Sequence, residues 1–191
     1  LPTMLYRTIV ADPPWHYATT LPGFQASRSR AGRTARRGVQ YPTLSVEEIC
    51  ALPVATLACD DAHLYLWTTN SHLEFAPSVA RAWGFEPKTI LVWCKAPRGF
   101  MGFGAFNICT EYVLFCRRGR LATKQRIDRN WWQWRRGEHQ GQSVKPEAFI
   151  DLVEQVSPGP YVELFARRHR LGWDVWGDQS ANTATLTACQ T

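Results

Sequence analysis

Six short apolar runs, separated by segments with helix signals, constrain the fold of this chain most. They are Thr8 to Ala11, His63 to Thr68, Thr89 to Lys95, Glu111 to Cys116, Tyr161 to Ala166 and Trp173 to Trp176. Near-continuous apolarity, rather than strict alternation, marks strands buried on both faces. Between them lie three helix candidates. Ser45 caps a short helix over Val46 to Leu52, with Glu48 placed to complete a capping box. Leu73 to Trp83 is amphipathic and stops at Gly84. Lys145-Pro146 opens a helix to Val156, with proline in its first turn. Strands alternating with helices predict an α/β sheet covered on both faces. No internal repeat is visible. A chain of 191 residues suits one domain over 1–191, with 180–191 as a flexible tail.

Several functional classes are excluded early. With 45% hydrophobic residues and no low-complexity tract, the chain is neither disordered nor collagenous nor a coiled coil. No apolar run reaches the roughly 18 residues of a membrane span. The N-terminus begins at Leu1 and lacks the basic-then-apolar layout of a signal peptide. The six cysteines (Cys50, Cys59, Cys94, Cys109, Cys116, Cys189) form no C-x-x-C pair, and the five histidines have no zinc-site spacing. The expectation is a reduced, metal-free, intracellular or cytoplasmic protein. No G-x-G-x-x-G or Walker sequence follows a strand, which argues against NAD(P) and P-loop chemistry.

The net charge of +6 is unevenly spread. The loop 16–40 holds Arg28, Arg30, Arg33, Arg36 and Arg37 and no acid. The segment 117–142, read as a second loop, holds eight bases against two acids, Arg135 among the bases. The remainder is slightly acidic. Such runs fit solvated loops, and they equally fit a phosphate-binding footprint, because clustered Arg releases counterions from a nucleic-acid backbone. Arg outnumbers Lys in both, which suits bidentate phosphate contacts. Trp131, Trp132 and Trp134 lie among the second set of charges. Rings there suit stacking on unpaired bases, or a buried wedge.

Ligands of open α/β sheets sit beyond the carboxyl ends of the strands. Two such ends stand out: Asp12-Pro13-Pro14-Trp15, and Arg167-Arg168-His169. Pro13 has no N–H, and Pro14 restricts Pro13 to an extended conformation, so the carbonyls point in fixed directions. An ionised Asp12 only accepts hydrogen bonds. Asp12 and the Pro13 carbonyl can together take both hydrogens of one amino group, with Trp15 stacked on the ring that bears it. An exocyclic base amine has its lone pair delocalised into the ring. Two aimed acceptors favour a pyramidal nitrogen and stabilise the positive charge that develops there.

The tetrapeptide is also where the chain resembles the MT-A family, named for the seventy-kilodalton subunit of the mRNA adenosine methyltransferase. The resemblance runs roughly from Ile9 to Gln179, in the family's order. Beyond Asp12-Pro13-Pro14-Trp15 it includes Tyr41-Pro42-Thr43-Leu44-Ser45, Leu66-Trp67-Thr68-Thr69, Trp83-Gly84-Phe85, Trp93-Cys94-Lys95 and Ser143-Val144-Lys145-Pro146. It closes on Glu163-Leu164-Phe165-Ala166-Arg167, Gly172-Trp173 and Trp176-Gly177. It implies a Rossmann-like S-adenosylmethionine (SAM) methyltransferase fold in circularly permuted order, catalytic strand first and cofactor strand late. It implies methylation of adenine N6, with Asp12 and the Pro13 carbonyl holding the amine, Pro14 shaping the turn, and Trp15 and Tyr41 flanking the base. Lys145, Phe165, Arg167, His169, Asp178 and Gln179 would contact the cofactor. Asp178 stands where relatives often carry Asn, and Arg170 also departs from the family pattern. Small stand-alone relatives of bacterial or phage type favour DNA over RNA as the partner. The substrate strand would meet Arg33, Arg36, Arg37, Trp131 and Arg135.

Two other readings remain open on sequence alone. Related motifs serve cytosine N4, and a non-catalytic nucleic-acid-binding subunit would keep the basic segments. Trp67, Trp83 and Trp93 read as core, and Glu111 as a strand opener paired with an Arg.

Overall fold

The computed structural model describes residues 4–16, 42–95, 106, 108–134 and 145–177. Among them, seven strands form one mixed sheet. These are β1 (Tyr6–Ala11), β2 (Ala58–Thr68), β3 (Glu86–Cys94), β4 (Thr110–Arg118), β5 (Trp131–Gln133), β6 (Tyr161–Leu164) and β7 (Trp173–Trp176). Their order across the sheet is β5-β3-β4-β2-β1-β6-β7. β1 runs parallel to β2 and β6, β6 to β7, and β3 to β5, whereas β4 is antiparallel to both β2 and β3. All six expected strands are present, and the α/β, Rossmann-like architecture holds.

Helix α1 (Val46–Cys50) starts at Ser45 with the capping box in place. The Glu48 N–H donates to Ser45 Oγ at 3.2 Å, and the Ser45 N–H donates to Glu48 Oε2 at 2.7 Å. Helix α2 (Ala76–Ala82) is shorter than its apolar pattern suggests. The chain first makes a 3-10 turn over Asn70–His72, and Pro77 then sits at the second helical position. Gly84 ends the helix at φ +82°, a conformation that favours glycine. Helix α3 (Glu147–Val156) begins one residue after Pro146, which takes an extended conformation at the N-cap. Proline therefore precedes the first turn rather than lying in it.

The two sheet faces are covered as the alternation requires. On one, Ile9, Ala11, Leu64, Leu66 and Leu114 meet Ile49 of α1 and Val79, Ala80 and Trp83 of α2. The Trp83 indole N–H donates to the Ile49 carbonyl at 2.9 Å, so the two helices are pinned as well as packed. On the other face, Val10, Tyr65, Trp67 and Val113 meet Phe149, Leu152 and Val153 of α3. Each such burial contributes about 1.5–3 kcal/mol, so this packing fixes the position of α3 over β1 and β2.

β5 overturns part of the loop expected over 117–142. Three residues add to the sheet edge beside β3, in register Val92 with Trp131 and Cys94 with Gln133. The stabilising bonds are non-local: the Val92 N–H donates to Asn130 O at 2.8 Å and the Trp134 N–H to Cys94 O at 2.9 Å. A three-residue pairing to a strand about 40 residues earlier leaves no periodic trace in the sequence.

Because β4 is antiparallel, its first residues lie beside the carboxyl ends of its neighbours. The ends of β1 and β3, the start of β4 and the start of α3 thus converge on one edge of the sheet.

Candidate active site

The turn after β1 is rigid for reasons written in the chain. The Trp15 N–H donates to the Pro13 carbonyl at 2.9 Å, closing a three-residue turn on Pro14. Leu44 then pairs with the turn on both sides: its N–H donates to Pro14 O at 2.8 Å, and its carbonyl accepts from the His16 N–H at 3.0 Å. The Trp15 indole donates to the Trp67 carbonyl at 3.1 Å, and its ring stacks on His72 with centroids 5.2 Å apart. One Pro13 lone pair is used by Trp15, and a carbonyl oxygen has a second.

Asp12 leaves the end of β1 toward a cavity of about 210 Å³. The walls carry Asp12, Lys145, Glu163, Phe165 and Arg167, with Phe149 of α3 behind them. Lys145, just ahead of α3, places its Nζ 2.8 Å from Glu111 Oε2 and 3.3 Å from Asp12 Oδ2. The same ammonium lies 4.5 Å from the Trp67 ring centroid. Glu111, second residue of β4, also pairs through its other oxygen with Lys95, which follows β3. The Lys95 ammonium is 5.3 Å from the Trp134 ring centroid, and its backbone N–H is bonded to Cys109 O. The result is a line of alternating charges: Lys95, Glu111, Lys145, Asp12.

The electrostatics of that line follow from burial and pairing. Burial pushes the Asp12 carboxyl above its usual range; Lys145 and Arg167 pull it down, and Glu111 pushes it further up. Burial alone would raise Glu111 too, but two lysines overcome it and hold it low. Burial would lower Lys145, but its two carboxylates overcome that and hold it high. Glu163, on β6 in register with Val10, is pushed up to about 7 by burial and by Asp12, with Arg168 partly offsetting.

The far side of the cavity is shaped by the ends of β6 and β7. Phe165 takes φ 62° and lies edge-on to Trp176 at 5.4 Å. The Ala166 N–H donates to Trp176 O at 3.0 Å, so the chain passes very close to Gly177. A Cβ there would meet the Ala166 carbonyl at 2.5 Å and its nitrogen at 2.7 Å. Arg168 and Arg170 both pair with Glu147 in the first turn of α3, which ties this loop to the helix that carries Lys145.

The sequence profile of the MT-A70 family matches residues 6–179. The chain belongs to the MT-A70 family of methyltransferases. It is 33% identical over 189 residues to the Type II methyltransferase M.MunI of a Mycoplasma species, covering 93% of this chain and 78% of that protein. It is 28% identical over 185 residues to the N(6)-adenosine-methyltransferase MT-A70-like protein of Drosophila melanogaster, and 26% identical over 185 residues to the human N(6)-adenosine-methyltransferase catalytic subunit METTL3. Of those two longer proteins the chain spans 27% and 28%.

The MT-A70 signature and the terminal block do meet in space. Asp12, Lys145, Phe165 and Arg167 line one cavity, although more than 100 residues separate the first from the others. The structure gives three of the expected residues the following surroundings. Trp15, implied as a flank of the base, is 4% exposed, with its N–H bonded inward and one face against His72. The geometry makes it a brace of the proline turn. His169 is exposed and is not part of the cavity wall. Glu111 pairs with two lysines, not with an Arg. Trp67, Trp83 and Trp93 are core, as expected.

Of the residues expected to meet a nucleic-acid strand, Trp131 lies on the edge strand at 56% exposure and is not among those lining the Asp12 cavity. Trp132 stacks on Trp93, and Trp134 is buried, so this part of the segment is mostly wedge. Arg126, Arg129 and Trp132 line a separate cavity of about 440 Å³ against β3, β4 and α3. Arg33, Arg36, Arg37, Tyr41, Arg135, Asp178 and Gln179 lie outside the described residues.

Three residues escaped the sequence reading as site residues: Glu111, Lys95 and Glu163. Each stands inside a block that carries the family resemblance or opens an apolar strand. For Glu111 and Lys95 a charged residue at the end of such a run was the available signal, and Glu163 is a lone charge inside its run. Among the described residues no cluster of ligating side chains suits a metal ion, and no helix is long and apolar enough to cross a membrane.

Proposed function

We propose that the chain transfers a methyl group from SAM to the exocyclic N6 amine of adenine in nucleic acid, DNA in the first instance. The observation that carries this reading is Asp12 at the end of β1, lining the cavity beside Lys145 and followed in the chain by Pro13, whose carbonyl keeps a second lone pair. One acceptor per N–H is what a planar aromatic amine needs to turn its lone pair toward an electrophile. Burial makes Asp12 a stronger acceptor than a solvated carboxylate, while Lys145 keeps its charge compensated.

The cavity's chemistry fits the cofactor. SAM presents an ammonium, a carboxylate, ribose hydroxyls and an adenine ring. Glu163 and Asp12 offer acceptors, Arg167 and Lys145 offer cations, and Phe165 offers a ring face. When bound, SAM supplies an electrophilic methyl on sulfur. The protein's contribution is to align the amine and to exclude water from it. Trp15 and Leu44 keep the proline carbonyls aimed.

A base inside a duplex is out of reach of such a cavity, so the target would be flipped or single-stranded. The Arg-rich segment 16–40, with Arg33, Arg36 and Arg37, and Arg126, Arg129 and Arg135 of the second segment would hold phosphates, with Trp131 exposed for stacking. Tyr41 would flank the base, and Asp178 and Gln179 would complete the SAM contacts, as the family resemblance implies. DNA is favoured because the relative matched over 78% of its length is a Type II methyltransferase. The test is incubation with labelled SAM and matched DNA and RNA oligonucleotides, followed by nucleoside analysis. N6-methyladenine in DNA supports the reading. Label on cytosine N4, or on RNA alone, corrects the substrate. No transfer to any oligonucleotide overturns it.

A further inference from the structure

We infer that Glu111 and Lys95 form a positioning clamp that draws Lys145 off Asp12, so that the Asp12 carboxylate stays free to accept the substrate amine. The inference rests on the proposed reaction but concerns two residues with no part in binding either substrate. Lys145 has two carboxylates within reach and stands closer to Glu111, at 2.8 Å, than to Asp12, at 3.3 Å. An ammonium seated fully on Asp12 would occupy the lone pairs the amine needs. Withdrawn entirely, it would leave a buried carboxylate uncompensated, which favours the protonated form. The observed position lies between these two failures.

What holds it there is built into the sheet. Glu111 stands in register with Trp93 on β3, next to the Thr110–Cys94 pair, so Lys95 follows directly alongside. Lys95 takes one Glu111 oxygen and leaves the other for Lys145. Without Lys95, both Glu111 oxygens would be open to Lys145. Aromatic beds, Trp134 under Lys95 and Trp67 under Lys145, favour both ammoniums where they are. The charged groups facing Asp12 are Lys145 from the start of α3, Glu111 from β4 and Arg167 after β6, with Glu163 of β6 on the same cavity. Lys95 reaches Asp12 only through Glu111.

This arrangement predicts opposite effects from its two members. Glu111→Gln removes a negative neighbour and releases Lys145 onto Asp12. The acidic limb of the kcat/KM profile should move to lower pH by on the order of one unit, and kcat should fall at least about tenfold at neutral pH. Lys95→Met lets Glu111 claim Lys145 with both oxygens, so the acidic limb should move to higher pH. Lys95→Arg should restore it. The Asp12 carboxyl carbon, followed by NMR in protein labelled at aspartate, should titrate in the same two directions without any substrate. That readout separates the clamp from the reaction: an inactive wild type sinks the proposed function while the Asp12 titration still tests the clamp. Limbs and Asp12 titrations that stay put, or move the same way in both variants, overturn it. Lower thermal stability with unshifted titrations would likewise make Glu111 and Lys95 merely structural.

Discussion

Replacing Trp15 by Phe separates a brace from a base-stacking ring. The Trp15 indole is buried, its N–H satisfies the Trp67 carbonyl at 3.1 Å, and one face is covered by His72. Phe keeps a ring but loses the donor and the five-membered half of the indole. Losing the hydrogen bond costs about 1 kcal/mol, since the carbonyl stays buried. The unfilled volume adds roughly 1–2 kcal/mol, because closed packing relaxes only in part. A total of about 2–3 kcal/mol lowers the melting midpoint of a domain this size by roughly 4–12 °C. Calorimetry at fixed pH reads it directly. The KM for oligonucleotide should change little. A midpoint within a degree of wild type, together with a raised KM, would show that the ring faces the base and that its placement in the core is wrong.

Two further outcomes follow from the packing around the sheet. His63 is buried with Nδ1 on Ser157 Oγ at 2.8 Å and Nε2 on the Leu121 carbonyl at 3.1 Å, and burial, with Arg117, depresses its pKa below the ordinary value near 6.5. A folded pKa below the unfolded one means the unfolded chain binds the extra proton first, so stability is intact above about 6.5 and declines as pH falls below it. Between pH 7 and pH 5 the wild-type thermal midpoint should fall relative to that of His63→Gln, a comparison in which the opposite trend from Glu163, pushed up to about 7, cancels. Gly177→Ala would place a methyl 2.5 Å from the Ala166 carbonyl, which backbone can relieve only by parting β6 from β7. Calorimetric SAM affinity should fall at least about tenfold through displacement of Phe165 and Arg167, and an unchanged affinity would show that those strand ends do not shape the cofactor site.

The sheet was largely legible because its signals are local. β1, β7 and the capping box at Ser45 are written in consecutive residues, and the structure places them within a residue or two of the pattern. β5 was not legible, since only its partner β3 makes Trp131–Gln133 a strand. At the site, Asp12 and the Pro13 turn announce themselves as a strand end that cannot continue. Glu111 did not, because its meaning depends on β4 running antiparallel and delivering its first residues to the end where β1 and β3 finish. Strand direction is a tertiary property, and an acid opening an apolar run looks the same in either direction. Trp15 shows a different case: from the sequence, an aromatic beside a proline turn reads as a ligand contact, and only the structure adds that its N–H is bonded to Trp67.

The central claim is that Asp12 accepts the amine that is methylated. Single-turnover methyl transfer to an adenine-containing DNA oligonucleotide, with product nucleosides resolved by mass spectrometry, should yield N6-methyladenine with wild type. In folded Asp12→Ala the rate should fall by at least about a hundredfold, as for loss of one preorganised electrostatic contact. Asp12→Asn should fall almost as far, because its amide offers one acceptor and turns a donor toward Lys145. Retained transfer in a folded Asp12→Ala protein would contradict the account at its base.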